Sequence, residues 1–188
     1  AEGMDHKPVP LDPRNALIAQ VERAAVMGYE VNVGTELEFY LFDPHETTMQ
    51  PPFVPGTASR MTAGSLYSVD LLEAFKGFTD DIYEACAAWD VPADAAISES
   101  GIGQFEVNLL HSDDAVKAAD DAALFKFIVR GVARKHGLGA TFMAKPYGED
   151  AGNGAQSQHE GYSGLDLRIA LYQSSPAKGN MTIGLGAI

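Results

Sequence analysis

Two spacings of apolar residues alternate along the chain. Leu17, Val21, Ala24 and Ala25 fall on one stripe of a helix running from Asp12 to about Tyr29. Asp12 suits its N-cap, Pro13 its first turn, and Gly28 marks the stop. Residues 31–42 are rich in β-branched and aromatic side chains and read as a strand, ended by Asp43-Pro44. Leu71, Phe75, Phe78, Ile82, Cys86 and Trp89 return to helical spacing and predict one helix over 70–89. Residues 95–98 and 104–110 read as two strands around Gly101 and Gly103. A helix over 113–136 follows. Asp113 and Asp114 suit its positive end, Arg134, Lys135 and His136 its negative end, and Gly137 its C-cap. Residues 138–145 predict a further strand, stopped by Pro146.

Between these elements lie two polar stretches. Residues 43–68 are rich in Pro, Thr, Ser and Gly, and a connection this long in a compact domain is usually functional or mobile. Residues 147–154 are polar and glycine-rich. Strands separated by helices suit a parallel α/β sheet. The hairpin over 94–110 instead favours an α+β domain with a mainly antiparallel sheet and flanking helices.

Composition narrows the possibilities. With 188 residues, 46% of them hydrophobic, the chain has enough for one domain with a real core. No run approaches the roughly 18–20 apolar residues of a membrane helix. The first ten residues lack the apolar stretch of a signal peptide, and the absence of an initial Met fits a start inside a longer reading frame. A net charge of −13 argues against nucleic acid and membrane partners. That charge reads either as solubility or as carboxylates clustered for metal ions or a cationic substrate. The single cysteine, Cys86, sits in an apolar stripe and reads as core rather than nucleophile; a reducing, cytoplasmic setting fits best.

The candidate chemistry lies in carboxylate pairs. Glu36 and Glu38, two apart on a strand, point to one face. Burying both without partners costs several kcal/mol, on the order of other unpaired buried charges, and a divalent cation removes that cost. The alternative is a solvent-facing polar side with Thr35, Leu37 and Phe39 turned inward. Glu99 and Glu106 converge on one side of a hairpin if Gly101 and Gly103 turn the chain; otherwise they are two surface carboxylates near a turn. Together the two pairs suggest a hard-cation site for Mg²⁺ or Mn²⁺. The glycines of Ala151-Gly152-Asn153-Gly154 permit close backbone approach to a ligand, although no phosphate-binding Gly-Lys-Ser/Thr sequence is present.

Three segments, in order and at matching spacing, resemble the glutamine synthetase family. Residues 34–43 (GTELEFYLFD) resemble its first metal strand. Residues 103–108 (GQFEVN), with Glu99 before them, resemble its second metal motif. Residues 141–146 (TFMAKP) through 151–154 (AGNG) resemble its glutamate-binding loop. The resemblance covers roughly residues 10–155 and is closest to the glutamate–polyamine (γ-glutamylputrescine) synthetase branch. It implies that Glu38, Glu99 and Glu106 hold one metal near glutamate, and that Glu36 helps hold a second on the phosphates of ATP. It implies that Ala151, Gly152, Asn153 and Gly154 line the glutamate site. The implied activity joins the γ-carboxylate of glutamate to an amine, either a polyamine such as putrescine or ammonia, through γ-glutamyl phosphate. ATP is a substrate, and the implied assembly is a homo-oligomeric double ring. The competing reading is a non-catalytic or truncated homologue that only binds metal or nucleotide. A guanidino phosphotransferase of related fold is disfavoured because the motifs match the ligases.

The resemblance stops near residue 155. Gln156 and Gln158 stand at two positions where the family carries histidines, and His159 is out of register. A neutral amide is a poorer transition-metal ligand than imidazole, though tolerable for Mg²⁺. The expected division is a partial catalytic domain over 1–155 and a tail over 156–188 without family resemblance, arising from a reading-frame slip or from divergence. Segments that carry the family's catalytic arginines and its N-terminal domain find no counterpart, so the isolated chain is expected to be inactive.

Overall fold

The structure, a computed structural model, describes residue 4, residues 7–148, residue 153 and, as backbone, residues 165–173. The order is α1 (Pro13–Val26), β1 (Tyr29–Phe42), α2 (Val69–Ala74), α3 (Lys76–Ala88), β2 (Ala93–Ser98), β3 (Gln104–Ser112), α4 (Ala115–Lys135), β4 (Gly139–Thr141) and β5 (Leu165–Gln173). All strand pairings are antiparallel. β1 is central: β3 runs along one edge with β2 beyond it, while β5 and β4 share the other edge. β5 pairs with Tyr29 through Leu37 and β4 with Tyr40 through Phe42. This is the α+β arrangement that the hairpin predicts.

Local signals explain the helix ends. The Asp12 carboxylate accepts hydrogen bonds from the backbone N–H of Arg14 and Asn15, and Asp114 does the same for Val116 and Lys117. Both satisfy donors that the first helical turn leaves open. The α4 stripe (Ala118, Ala122, Phe125, Val129, Val132, Ala133) is buried against the sheet. Phe39 is at the middle of this core, with ring centroids 5.6–6.5 Å from those of Phe78, Phe105, Phe125 and Phe142. Cys86 is buried in the same core, and burial pushes its thiol up to about 11.

Two expectations are corrected. The helix predicted over 70–89 is two helices, interrupted at Phe75 and ended before Trp89. Phe75 leaves helical geometry (φ −96°, ψ 14°), and its ring sits 5.1 Å from that of Phe105. The strand predicted over 138–145 is only Gly139–Thr141. Beyond it, Asn153 bonds the carbonyls of Met143 and Ala144, which therefore do not join a ladder. The long connection after β1 carries two isolated bridges, Asp43 with Gln50 and Phe53 with Arg60. Arg60 ties it together by pairing with Asp43 and Glu46 and lying over the Phe53 ring. Among the described residues no helix is long and apolar enough to cross a membrane.

Candidate functional site

β1 has one apolar and one acidic face. Thr35, Leu37, Phe39 and Leu41 are buried on the helix side, at 0–3% exposure. Glu36, Glu38 and Tyr40 alternate with them and so share the opposite face. Antiparallel register continues this face across the sheet. Tyr40 lies opposite Gln104, Glu38 opposite Glu106, and Glu36 opposite Asn108. Ile97 pairs with Glu106 on the next strand, and two residues later the Glu99 backbone N–H donates to the Gln104 carbonyl. All four candidate glutamates therefore project from one surface. On the other edge of β1, Asp166 of β5 is in register with Glu36.

The turn that presents Glu99 and Glu106 depends on its glycines. Gly103 has φ +77°, and a Cβ there would lie 2.8 Å from the Leu41 carbonyl oxygen. A Cβ at Gly101 would lie 2.0 Å from the Tyr40 hydroxyl. Neither position accommodates a side chain without displacing a neighbour. Gln104 then links the parts. Its carboxamide oxygen accepts from the Gly101 N–H at 2.9 Å, and its Nε2 donates to Glu38 at 2.7 Å and to Asn153 at 3.2 Å. The carboxylate face and the glycine-rich loop are thus joined through one buried amide.

The electrostatics are those of crowded like charges. Glu106 is 8% exposed. Burial pushes its carboxyl up to about 7, with Glu38, Glu36 and Glu99 adding repulsion and a hydrogen bond with Asn108 opposing it. Burial also raises the Glu99 carboxyl. Cavities flank the face at both ends. One of about 210 Å³ is bordered by Gly34, Thr35, Glu36, Asn108 and His111. Another of about 410 Å³ is bordered by Tyr40, Met49, Ile102 and Tyr147.

This geometry is borne by a stretch that known proteins share. Residues 10–159 match the glutamine synthetase catalytic domain. The chain belongs to the glutamine synthetase family. It is 44% identical over 153 residues to gamma-glutamylputrescine synthetase PuuA of Escherichia coli (strain K12), covering 80% of this chain and 32% of that protein. It is 33% identical over 150 residues to glutamate–isopropylamine ligase of a Pseudomonas species, again covering 80% of this chain and 32% of the relative. A solved GmaS/ADP complex superposes with a TM-score of 0.74 at 29% identity, over 97% of this chain and 38% of the other. The chain spans about a third of the length of the first two relatives.

Within this glutamine synthetase domain, the four glutamates singled out in the sequence share one face. Asn153 is buried and engaged with Gln104, Met143 and Ala144, whereas Ala151, Gly152 and Gly154 lie outside the described residues, as do Gln156, Gln158 and His159. The residues that sequence reasoning missed are Tyr40, Gln104 and Asn108. Each has the same strand parity as a candidate glutamate, and that parity was the available signal. The donor set suits a hard cation: all oxygen, partly buried, and in Glu106 a carboxyl whose charged form is disfavoured. Among the described residues, however, no three His, Cys, Asp or Glu side chains stand close enough to hold an ion as they are.

Proposed function

We propose that the complete protein is an ATP-dependent ligase that joins the γ-carboxylate of glutamate to an amine. The observation that carries this reading is the Glu38–Glu106 cross-strand pair, with Glu36 and Glu99 charge-coupled to it on one face. Crowded carboxylates destabilise a fold unless something cationic is meant to lie among them. The two relatives whose names specify glutamate–amine ligation support the reaction class.

The proposed chemistry has two displacements. An oxygen of the glutamate γ-carboxylate attacks the γ-phosphorus of ATP, and ADP leaves with the broken P–O pair. The amine nitrogen then attacks the γ-carbonyl carbon, a proton leaves the nitrogen, and phosphate departs. Glu38, Glu99 and Glu106 are the residues that would hold one Mg²⁺ or Mn²⁺, and Glu36 would help hold a second. Such ions supply neutralisation of phosphoryl oxygens. Gln104 keeps Glu38 oriented and ties it to Asn153, so the carboxylate face and the loop assigned to glutamate keep a fixed relation. The acidic face draws in a cationic amine before reaction. Ala151, Gly152, Asn153 and Gly154 would line glutamate, with Asn153 acting through its hold on the loop.

The setting we infer is cytoplasmic, and the assembly a homo-oligomer. The single cysteine, buried in the core, supports the former. A second reading applies to the 188-residue chain by itself: a homologue that binds metal or nucleotide without turnover. Gln156 and Gln158, standing where the family carries histidines, favour it for that isolated piece. For the tail over 156–188, the pairing of β5 along β1 supports natural divergence over a frame slip. Translating the coding DNA in the other two frames beyond codon 155 decides between them; a His-x-His continuation there would establish the slip.

The ligase reading is tested with the complete gene product in a coupled ADP-release assay. Glutamate-dependent turnover is expected with at least one of ammonia, putrescine, spermidine and ethanolamine. Inactivity with all four would remove the reading.

A further inference from the structure

On the opposite side of β1 from the glutamates, a cavity of about 390 Å³ opens between α1, α4 and the sheet. Its volume is within the range of small-molecule sites. Leu17 of α1 and Val31 and Val33 of β1 supply apolar wall, and the small side chains of Ala119 and Ala123 on α4 leave the space open. Thr35, Lys126 and Arg130 also border it. Val33 packs with Ala115 and Ala118 near the start of α4, whereas Lys126 and Arg130 lie at the Phe142 ring, which meets that of Phe39. β1 and α4 therefore run the same way along the cavity, from an apolar end at Val31 to a cationic end beyond Thr35.

The two cations lack an acid. In a chain with 26 acidic and 13 basic residues, Arg14, Arg60, Lys76, Lys117 and Lys135 each pair with a carboxylate. Lys126 and Arg130 pair with none among the described residues. Both lie over the Phe142 ring, Lys126 Nζ at 5.6 Å and Arg130 Cζ at 5.3 Å from its centroid. Like charges four residues apart on a helix repel. Burial lowers the Lys126 ammonium below its ordinary value, and the Arg130 charge lowers it further. Thr35 adds an independent deficit: it is 3% exposed, and its hydroxyl makes no hydrogen bond with the described residues. Buried hydroxyls are ordinarily partnered, so this one calls for a ligand oxygen. A neutral apolar ligand would leave both cations unanswered, and a purely polar anion would leave the apolar wall unused.

We propose that this cavity binds a small apolar carboxylate, its hydrocarbon chain against Leu17, Val31 and Val33 and its head group at Lys126, Arg130 and the Thr35 hydroxyl. The site is separate from the carboxylate face and does not rest on the ligase reading. Octanoate is the probe, titrated calorimetrically into the complete protein, and saturable binding is expected. Lys126→Met keeps the stem beside Phe142 and removes the charge. It should weaken binding about tenfold, the loss of one hydrogen bond to a charged group. Ala123→Trp fills the space from an exposed helix position and should abolish binding. Both variants should melt with wild type in the absence of octanoate, so that weakened binding reports the site rather than the fold. A ligand series in wild type needs no variant: octanol, without the charge, and acetate, without the chain, should each bind about tenfold or more weakly than octanoate. Absence of saturable octanoate binding, the result if another part of the complete protein fills the cavity, overturns the proposal. So does equal binding by wild type and both variants, or equal affinity for octanoate and octanol.

Discussion

The two faces of β1 show how one strand divides its tasks. Leu37, Phe39 and Leu41 are at 0–1% exposure against the helices, and their burial follows the ordinary gain from removing apolar surface from water. One residue away in each case, Glu36, Glu38 and Tyr40 face the other side, where burial of Glu106 opposite Glu38 works against stability. The apolar face supplies the rigidity that lets the acidic face hold a strained arrangement of charge. β1 and β3, which carry Glu36, Glu38 and Glu106, each have neighbours on both edges that fix their position.

Substitutions on the two faces should act in opposite directions. The largest effect is expected from Phe39→Ala, which removes the ring that touches four other aromatic rings. It should lower unfolding free energy by ~3–5 kcal/mol, read from denaturant midpoints at unchanged m-value. On the acidic face, Glu106→Gln should stabilise the metal-free fold at pH 8, by ~1–3 kcal/mol, because a neutral amide replaces a repelled and buried carboxylate. The same substitution should abolish ligase turnover in the complete protein. A loss of stability equal to that of Phe39→Ala would show that the acidic face is ordinary core.

Acidity sharpens the comparison further. Burial, with repulsion from Glu38, Glu36 and Glu99, pushes the Glu106 carboxyl up to about 7 in the fold. The folded state therefore holds this proton more tightly than the unfolded chain. The resulting stability is fully present below the unfolded value near 4.5 and is lost as pH rises through about 7. The expected loss is on the order of 3 kcal/mol between pH 5 and pH 8 without divalent ions, seen as a falling melting temperature. Mn²⁺ should reduce that slope, and Glu106→Gln should remove it. The smallest effect tested lies away from both faces. Asp114→Ala removes the side-chain cap from α4 and should cost ~1 kcal/mol without altering the response to pH or Mn²⁺ in this range.

Much of this was legible in the sequence because the signals were local. The α1 and α4 caps follow from Asp12 and Asp114, and the alternation in β1 announces its two faces. What remained hidden depended on tertiary partners. Helical spacing continues smoothly through Phe75, and only the Phe105 ring it packs against marks the break. The short β4 depends on Asn153, 10 residues beyond Met143, taking the Met143 and Ala144 carbonyls. β5 was not anticipated, since its place is defined by the open edge of β1. At the site, the glutamates announced themselves as pairs. Gln104, which joins Glu38 to Asn153, could be recognised only once its partners were known.

A Mn²⁺ titration of the complete protein, followed by electron paramagnetic resonance of free ion, addresses the central claim most directly. The account predicts saturable binding in wild type, weakened at least tenfold by Glu38→Gln or Glu106→Gln, and little changed by Asp114→Ala. Equal Mn²⁺ binding in wild type and in both glutamate variants would contradict it.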